Sequence, residues 1–128
     1  MTINMSNILI VDDDYKLCEV LAEELEELGF QTNATHSVSE TIKFLQKNKN
    51  IDLILLDLKL PDKDGLSFLK MLKENNLDYK VIILTAFADI QSAIESERLG
   101  VCDFISKPYD FDELVNSINK ALQKDYET

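Results

Sequence analysis

The stretch IDLILLDL, Ile51 to Leu58, decides the fold. From Leu53 to Leu56 no polar residue interrupts it, so it lacks the alternation of a strand with one wet face. A run this short, followed by the turn residues Pro61, Asp62, Asp64 and Gly65, reads as a strand covered on both sides. The segment KVIIL, residues 80–84, has the same character. Two such strands call for one parallel sheet with helices over both faces.

Working outward, the sequence supplies those helices in strict alternation with strands. NILIV, residues 7–11, is a first strand. Leu17, Val20, Leu21, Leu25 and Leu28 mark one face of a first helix, which Gly29 ends. Residues 30–35 form a weaker second strand. Ser37 precedes Glu40 by three residues, a capping-box spacing that opens a second helix on Val38, Ile42 and Leu45. Beyond the central run, Leu66, Leu69 and Leu72 define a third helix. A short polar fourth helix covers residues 90–98 and stops at Gly100, and residues 102–106 form the last strand. Asp110 with Glu113 caps a fifth helix whose face is Phe111, Leu114, Val115, Ile118 and Leu122. The closing QKDYET reads as a frayed end. With right-handed crossovers, five such units predict an α/β fold, doubly wound (βα)5 and flavodoxin-like, with a five-stranded parallel sheet of order 2-1-3-4-5.

Composition narrows the function classes. A chain of 128 residues, 45% apolar and 29% charged, is expected to be one globular domain over residues 1–128. No apolar run has membrane-spanning length, and no basic segment precedes a greasy one at the start, so the expected location is cytoplasmic. Cys18 and Cys102 sit in apolar patterns without metal-ligand spacing and read as two buried thiols in a reducing compartment. A formal charge of −11 with scattered Lys and Arg argues against nucleic acid and anionic membranes. It favours cations, and proteins with a basic or apolar docking face.

In a parallel sheet, ligands gather at the carboxyl ends of the strands. The first strand delivers Asp12 and Asp13 there, the third Asp57, the fourth Thr85, and the fifth Lys107 followed by Pro108. The second strand delivers nothing comparable. Clustered carboxylates suit a hard divalent cation, and Mg2+ uses one or two of them while keeping several waters. A carboxylate is also a nucleophile toward phosphorus. Phosphoryl transfer then asks for positive charge on the phosphoryl oxygens and a hydroxyl donor, which Lys107 and Thr85 could supply. By themselves three aspartates before a helix are a solvated turn with a cap; Asp57 on the same rim turns Asp12 and Asp13 into a site. Asp14, one residue further, is at least as well suited to capping the first helix. Phe104, an aromatic in the last strand, reads by itself as plain core, and His36 reads as a solvated loop residue away from the rim.

Over essentially its whole length the chain closely resembles the receiver domain of bacterial two-component response regulators. The pieces that carry the likeness are ILIVDDD, DLILLDLKLPDKDGL, VIILTAFAD and DFISKPYDFDEL, in that order. The resemblance implies that Asp57 is the phosphoacceptor. It implies an Mg2+ site, with Mn2+ able to substitute, made by Asp13 directly, Asp12 mainly through water, Asp57, and the backbone carbonyl of Lys59. Lys107 would pair with a phosphoryl oxygen, and its bond to Pro108 would be cis. Thr85 would move toward the phosphoryl group, with Ala86 beside it, and Phe104 would turn inward behind it. Lys59 and Phe87, each two residues past a key position, would tune phosphoryl lifetime, a bulky Phe87 slowing hydrolysis. The implied partner is a sensor histidine kinase or a phosphotransfer protein. The implied output face is that of the fourth helix, fifth strand and fifth helix, which could also form a homodimer. Such a domain assists its own phosphorylation but is a switch, not an enzyme, and does not itself bind nucleic acid.

Two other aspartate- or sheet-based classes fit less well. A haloacid-dehalogenase-like phosphatase wants a second Asp two residues after its nucleophile, where this chain has Lys59, and a substrate-covering cap. A flavodoxin-like electron carrier needs a hydroxyl- and glycine-rich phosphate loop after the first strand. Three aspartates there would repel a flavin phosphate, and Gly29, Gly65 and Gly100 make no dinucleotide motif. Within the resembling family, a single-domain relay intermediate and the receiver of a longer transcription factor both remain open.

Overall fold

The computed structural model describes residues 6–123. Strands and helices alternate as β1 (Asn7–Val11), α1 (Tyr15–Glu27), β2 (Gln31–Thr35), α2 (Val38–Lys47), β3 (Leu53–Leu56), α3 (Gly65–Glu74), β4 (Val81–Thr85), α4 (Ile90–Arg98), β5 (Asp103–Ser106) and α5 (Phe111–Gln123). The five strands form one sheet of order β2-β1-β3-β4-β5, all neighbours parallel. This is the doubly wound architecture expected from the double-sided apolar runs. Residues 124–128 of the closing segment lie outside the described residues.

Strand alternation sorts the core into two layers. Ile8, Ile10, Leu53, Leu55, Ile82 and Leu84 face a cluster with Cys18, Leu21 and Leu25 of α1 and Leu114 and Ile118 of α5. Leu9, Val11, Ile54, Leu56, Val81 and Ile83 face the other way, against Val38 and Leu45 of α2 and Phe68, Leu69 and Leu72 of α3. The register Ile10↔Leu55, Leu55↔Ile82 and Ile83↔Phe104 brings the carboxyl ends of four strands level. That levelling creates the rim on which the site is built.

Helix starts are set by side-chain caps. Asp14, Ser37, Asp64, Asp89 and Asp110 each accept a backbone N–H three residues on, from Leu17, Glu40, Ser67, Ser92 and Glu113. Gly29 and Gly100 stand just past α1 and α4 with φ of 96° and 83°, the left-handed conformation that closes a helix.

Several expectations shift. Val20 and Leu28, expected on the inner face of α1, are exposed; Cys18, Leu21 and Leu25, at i, i+3 and i+7, hold that face instead. Leu28 is the C-cap residue and lies beyond the helical register. Cys102, expected to be buried, is half-buried, because it precedes β5 at the amino end of the sheet; both cysteines are free. Burial and then the Asp12 charge push the Cys18 thiol up to about 12, so it stays protonated and unreactive.

Candidate functional site

Asp57 is the first residue beyond β3 and is buried. Its backbone N–H donates to the Val11 carbonyl at 2.9 Å, which holds it level with the end of β1. Its carboxylate is met from three directions. The Thr85 hydroxyl donates to Oδ1 at 2.7 Å, the Lys59 backbone N–H donates to the same oxygen at 3.2 Å, and the Lys107 ammonium lies 3.2 Å from Oδ2. Thr85, the last residue of β4, is fully buried, and its oxygen also accepts the Phe87 N–H at 3.1 Å. Gly65, at the start of α3, leaves the room this requires. A Cβ there would come within 2.7 Å of the Asp57 carbonyl and 2.8 Å of the Leu58 Cα, both backbone atoms.

Asp12 follows β1 and is also buried. Its N–H donates to the Thr35 carbonyl, so β2 does contribute to the site, through backbone. Its Oδ2 lies 2.5 Å from the Lys107 ammonium and its Oδ1 accepts the Asp14 N–H at 2.9 Å. Burial holds the Asp12 carboxyl above the usual carboxylate range, Lys107 and the Asp14 N–H pull it down without cancelling that, and the nearby Asp57 charge adds to the rise. Burial alone would lower Lys107; the Asp12 and Asp57 carboxylates outweigh it and hold the ammonium above its ordinary value. The lysine therefore keeps its proton at neutral pH and bridges two acids.

Asp13 completes the group. One carboxylate oxygen each from Asp12, Asp13 and Asp57 lie within 4.8 Å of one another, with Asp13 facing solvent. Three hard oxygen donors, one of them on the water side, fit Mg2+ or Mn2+, ions that take carboxylates and retain waters. Asp14 stands outside this group and caps α1.

The remaining candidates fall around this centre. The Lys107–Pro108 bond is cis. Ala86 is exposed, and Phe87 is half exposed with the Lys59 ammonium 4.6 Å above its ring, so the two residues expected to tune the site touch each other. Phe104 is half-buried and packs against the α2–α3 layer, partway between core and surface. His36 differs from expectation. It is half-buried at the end of β2, stacked on Tyr15 with ring centroids 3.7 Å apart and with Nδ1 3.4 Å from Glu40. His36 directly follows Thr35, whose carbonyl accepts the Asp12 N–H, so it stands at the border of the site.

Two residues were absent from the sequence reading of the site. Tyr109, after the cis bond, donates its hydroxyl to Glu24 of α1 at 3.1 Å, and burial, then the Glu24 charge, push that phenol up to about 12. Asp62 was assigned only to a turn, yet it accepts two N–H groups from α2. The Ser37–Glu40 spacing had already flagged the helix end it reaches, but not the acceptor.

The response regulator receiver domain matches residues 8–119. The chain belongs to that family. This receiver domain is 36% identical over 115 residues to the sporulation initiation phosphotransferase F of Bacillus subtilis, covering 90% of this chain and 92% of that protein. It is 34% identical to the transcriptional regulatory protein ZraR of Salmonella typhimurium over 95% of its own length. The receiver domain spans only 27% of ZraR. A receiver domain crystal structure from Clostridium thermocellum superimposes with a TM-score of 0.87 at 27% identity, covering 95% of this chain and 98% of the other. Receivers of this family are modules of two-component signalling that interact with histidine kinases and phosphotransfer proteins. Among the described residues no helix is long and apolar enough to cross a membrane.

Proposed function

We propose that the chain, as one receiver unit over residues 1–128, is a phosphorylation-dependent switch whose phosphoacceptor is Asp57. One observation carries this reading. Among the described residues, Asp57 is the one buried carboxylate that meets a hydroxyl, an ammonium and two further acids together. In the reaction, an Asp57 oxygen forms a bond to phosphorus while the bond from phosphorus to the donor's histidine nitrogen breaks, the electron pair staying on the imidazole. Asp12, Asp13, Asp57 and the Lys59 carbonyl would hold Mg2+, which when bound supplies positive charge to the phosphoryl oxygens. Lys107 adds its own charge to that balance. Thr85 already bonds the carboxylate, so its movement is a re-aiming of the hydroxyl from Asp57 Oδ1 to a phosphoryl oxygen.

The switch reads out through α4, β5 and α5. In α4 only Ser96 is fully buried, and its hydroxyl has no partner, which makes α4 weakly held. Ile90 and Ile94 expose apolar surface on the same helix, and Phe104 of β5 is half-buried against the α2–α3 layer. A sensor kinase or phosphotransfer protein donates the phosphoryl group in the cytoplasm. The output is a relay step or the control of transcription, including through a homodimer on this face. Phe87, braced by Lys59, shields the phosphoryl group from water and slows its loss; a Phe87→Ala variant whose phosphoprotein decays at the wild-type rate refutes that part.

Intact-mass measurement after incubation with Mg2+ and acetyl phosphate tests the whole reading. Wild type should gain one phosphoryl group and Asp57→Asn none. An adduct on both proteins, or on neither, overturns it.

A further inference from the structure

The loop from Asp57 to α3 is fastened at its base and at its tip. At the base, the Gly65 N–H donates to the Leu58 carbonyl at 2.7 Å, and the Lys59 N–H donates to Asp57 Oδ1. Leu58 and Leu60 are buried on either side of the exposed Lys59. At the tip, Asp62 reaches out of the loop to another element. Its Oδ1 accepts the Val38 N–H and its Oδ2 the Ser39 N–H, each at 2.9 Å.

Those are the first two residues of α2, whose N–H groups have no partner inside the helix. Ser37, the local cap, satisfies the next one, Glu40. Local sequence therefore closes only part of this helix end, and a carboxylate 24 and 23 residues away closes the rest. The bond is bidentate and charge-assisted, which fixes direction as well as position. Pro61, with its fixed φ, stiffens the step between Leu60 and Asp62.

We infer that Asp62 is a positioning residue for the Lys59 carbonyl, fastening the loop that carries it to the N-terminus of α2. The inference rests on the reading of that carbonyl as a metal ligand. Lys59 lies between the Asp57 bond and the Asp62 clamp, so releasing the clamp frees one end of the segment. Groups behind a metal ligand commonly govern its affinity.

Amide NMR titration of the full chain with MgCl2 at constant ionic strength tests it, on wild type, Asp62→Ala, Asp62→Asn and Ser37→Ala. Ser37→Ala weakens the same helix end without touching the loop. Asp62→Ala should raise the Mg2+ dissociation constant about tenfold and speed hydrogen exchange at the Lys59 amide in metal-free protein. At saturating Mg2+ its phosphorylation rate should return to the wild-type value. Asp62→Asn, which keeps one acceptor oxygen, should fall between, and Ser37→Ala should bind Mg2+ as wild type does. An unmoved constant in Asp62→Ala, or an equal weakening in Ser37→Ala, overturns the inference alone. Wild-type protein that takes up no Mg2+ overturns it together with the metal reading.

Discussion

Asp62 and Asp57 are separated by four residues, yet only one of them could be assigned from the sequence. Asp57 follows and Thr85 ends a strand buried on both faces, and Lys107 follows the half-buried β5, so a parallel sheet brings all three to one rim. Asp62 has no such register; its partners lie on α2, and only packed coordinates reveal them. The backbone N–H groups of Ser39 and Val38 hold its carboxyl below the ordinary 3.8. Folding therefore releases a proton between the two values, and stability rises with pH across that window. The clamp is fully present above the ordinary value of 3.8 and is lost as pH falls through the folded value. Asp62→Ala should lower the melting temperature by about 4 °C near neutral pH, the scale of one lost cap in a domain this size. Urea titrations of both proteins should find that deficit shrinking below pH 3.8. A deficit of equal size at both ends of the range would show that the carboxylate charge is not involved.

Among the elements, the strands covered on both faces were legible almost residue by residue, and the helix faces less so. Helical periodicity places a stripe but not its rotation, which is why Val20 falls on the expected stripe yet is exposed, while Cys18 lies off that stripe and is buried. The third helix hides a tighter constraint at Gly65, whose missing Cβ permits backbone contact with Asp57 and Leu58. Gly65→Ala should cost about 2 kcal/mol, as overpacking does, measured by urea unfolding, because the atoms it meets are backbone and cannot swing aside. Gly100 makes the contrast. There the space is open, with the Lys73 ammonium 3.9 Å away, and only the φ of 83° resists a side chain. The weak element is α4. Replacing Ser96 by Ala removes a buried hydroxyl without a partner and should stabilise the protein by about 1 kcal/mol. If α4 is the moving part, the same change should lower the fraction of phosphorylated protein in the active state, read from α4 amide shifts. A stabilised variant with unaltered shifts on phosphorylation would separate α4 from the switch.

At the scale of the molecule, three consecutive aspartates are a problem of charge balance. The chain carries −11, and Asp12, Asp13 and Asp57 concentrate part of it within a few ångströms. Lys107 bridges two of the three acids with a single positive charge and leaves Asp13 to solvent. The apolar pattern predicted where these charges converge, but not that Asp12 would be buried and bridged while Asp13 stayed wet. That division follows from the Thr35 carbonyl drawing in the Asp12 backbone. A ligand that binds only the folded rim stabilises by mass action, by about 2.7 kcal/mol at a hundred times its dissociation constant. Mg2+ should therefore raise the melting temperature. Any salt will do so to some degree by screening a strongly acidic surface, since the Debye length is only about 10 Å at 0.1 M. The comparison must be made at fixed ionic strength, with NaCl balancing MgCl2. Under that condition wild type should gain several degrees with Mg2+, Asp13→Asn should gain far less, and Asp14→Ala, having lost a helix cap alone, should start lower and gain as much as wild type. A wild-type melting temperature that Mg2+ leaves unmoved at fixed ionic strength would mean that the three acids hold no cation.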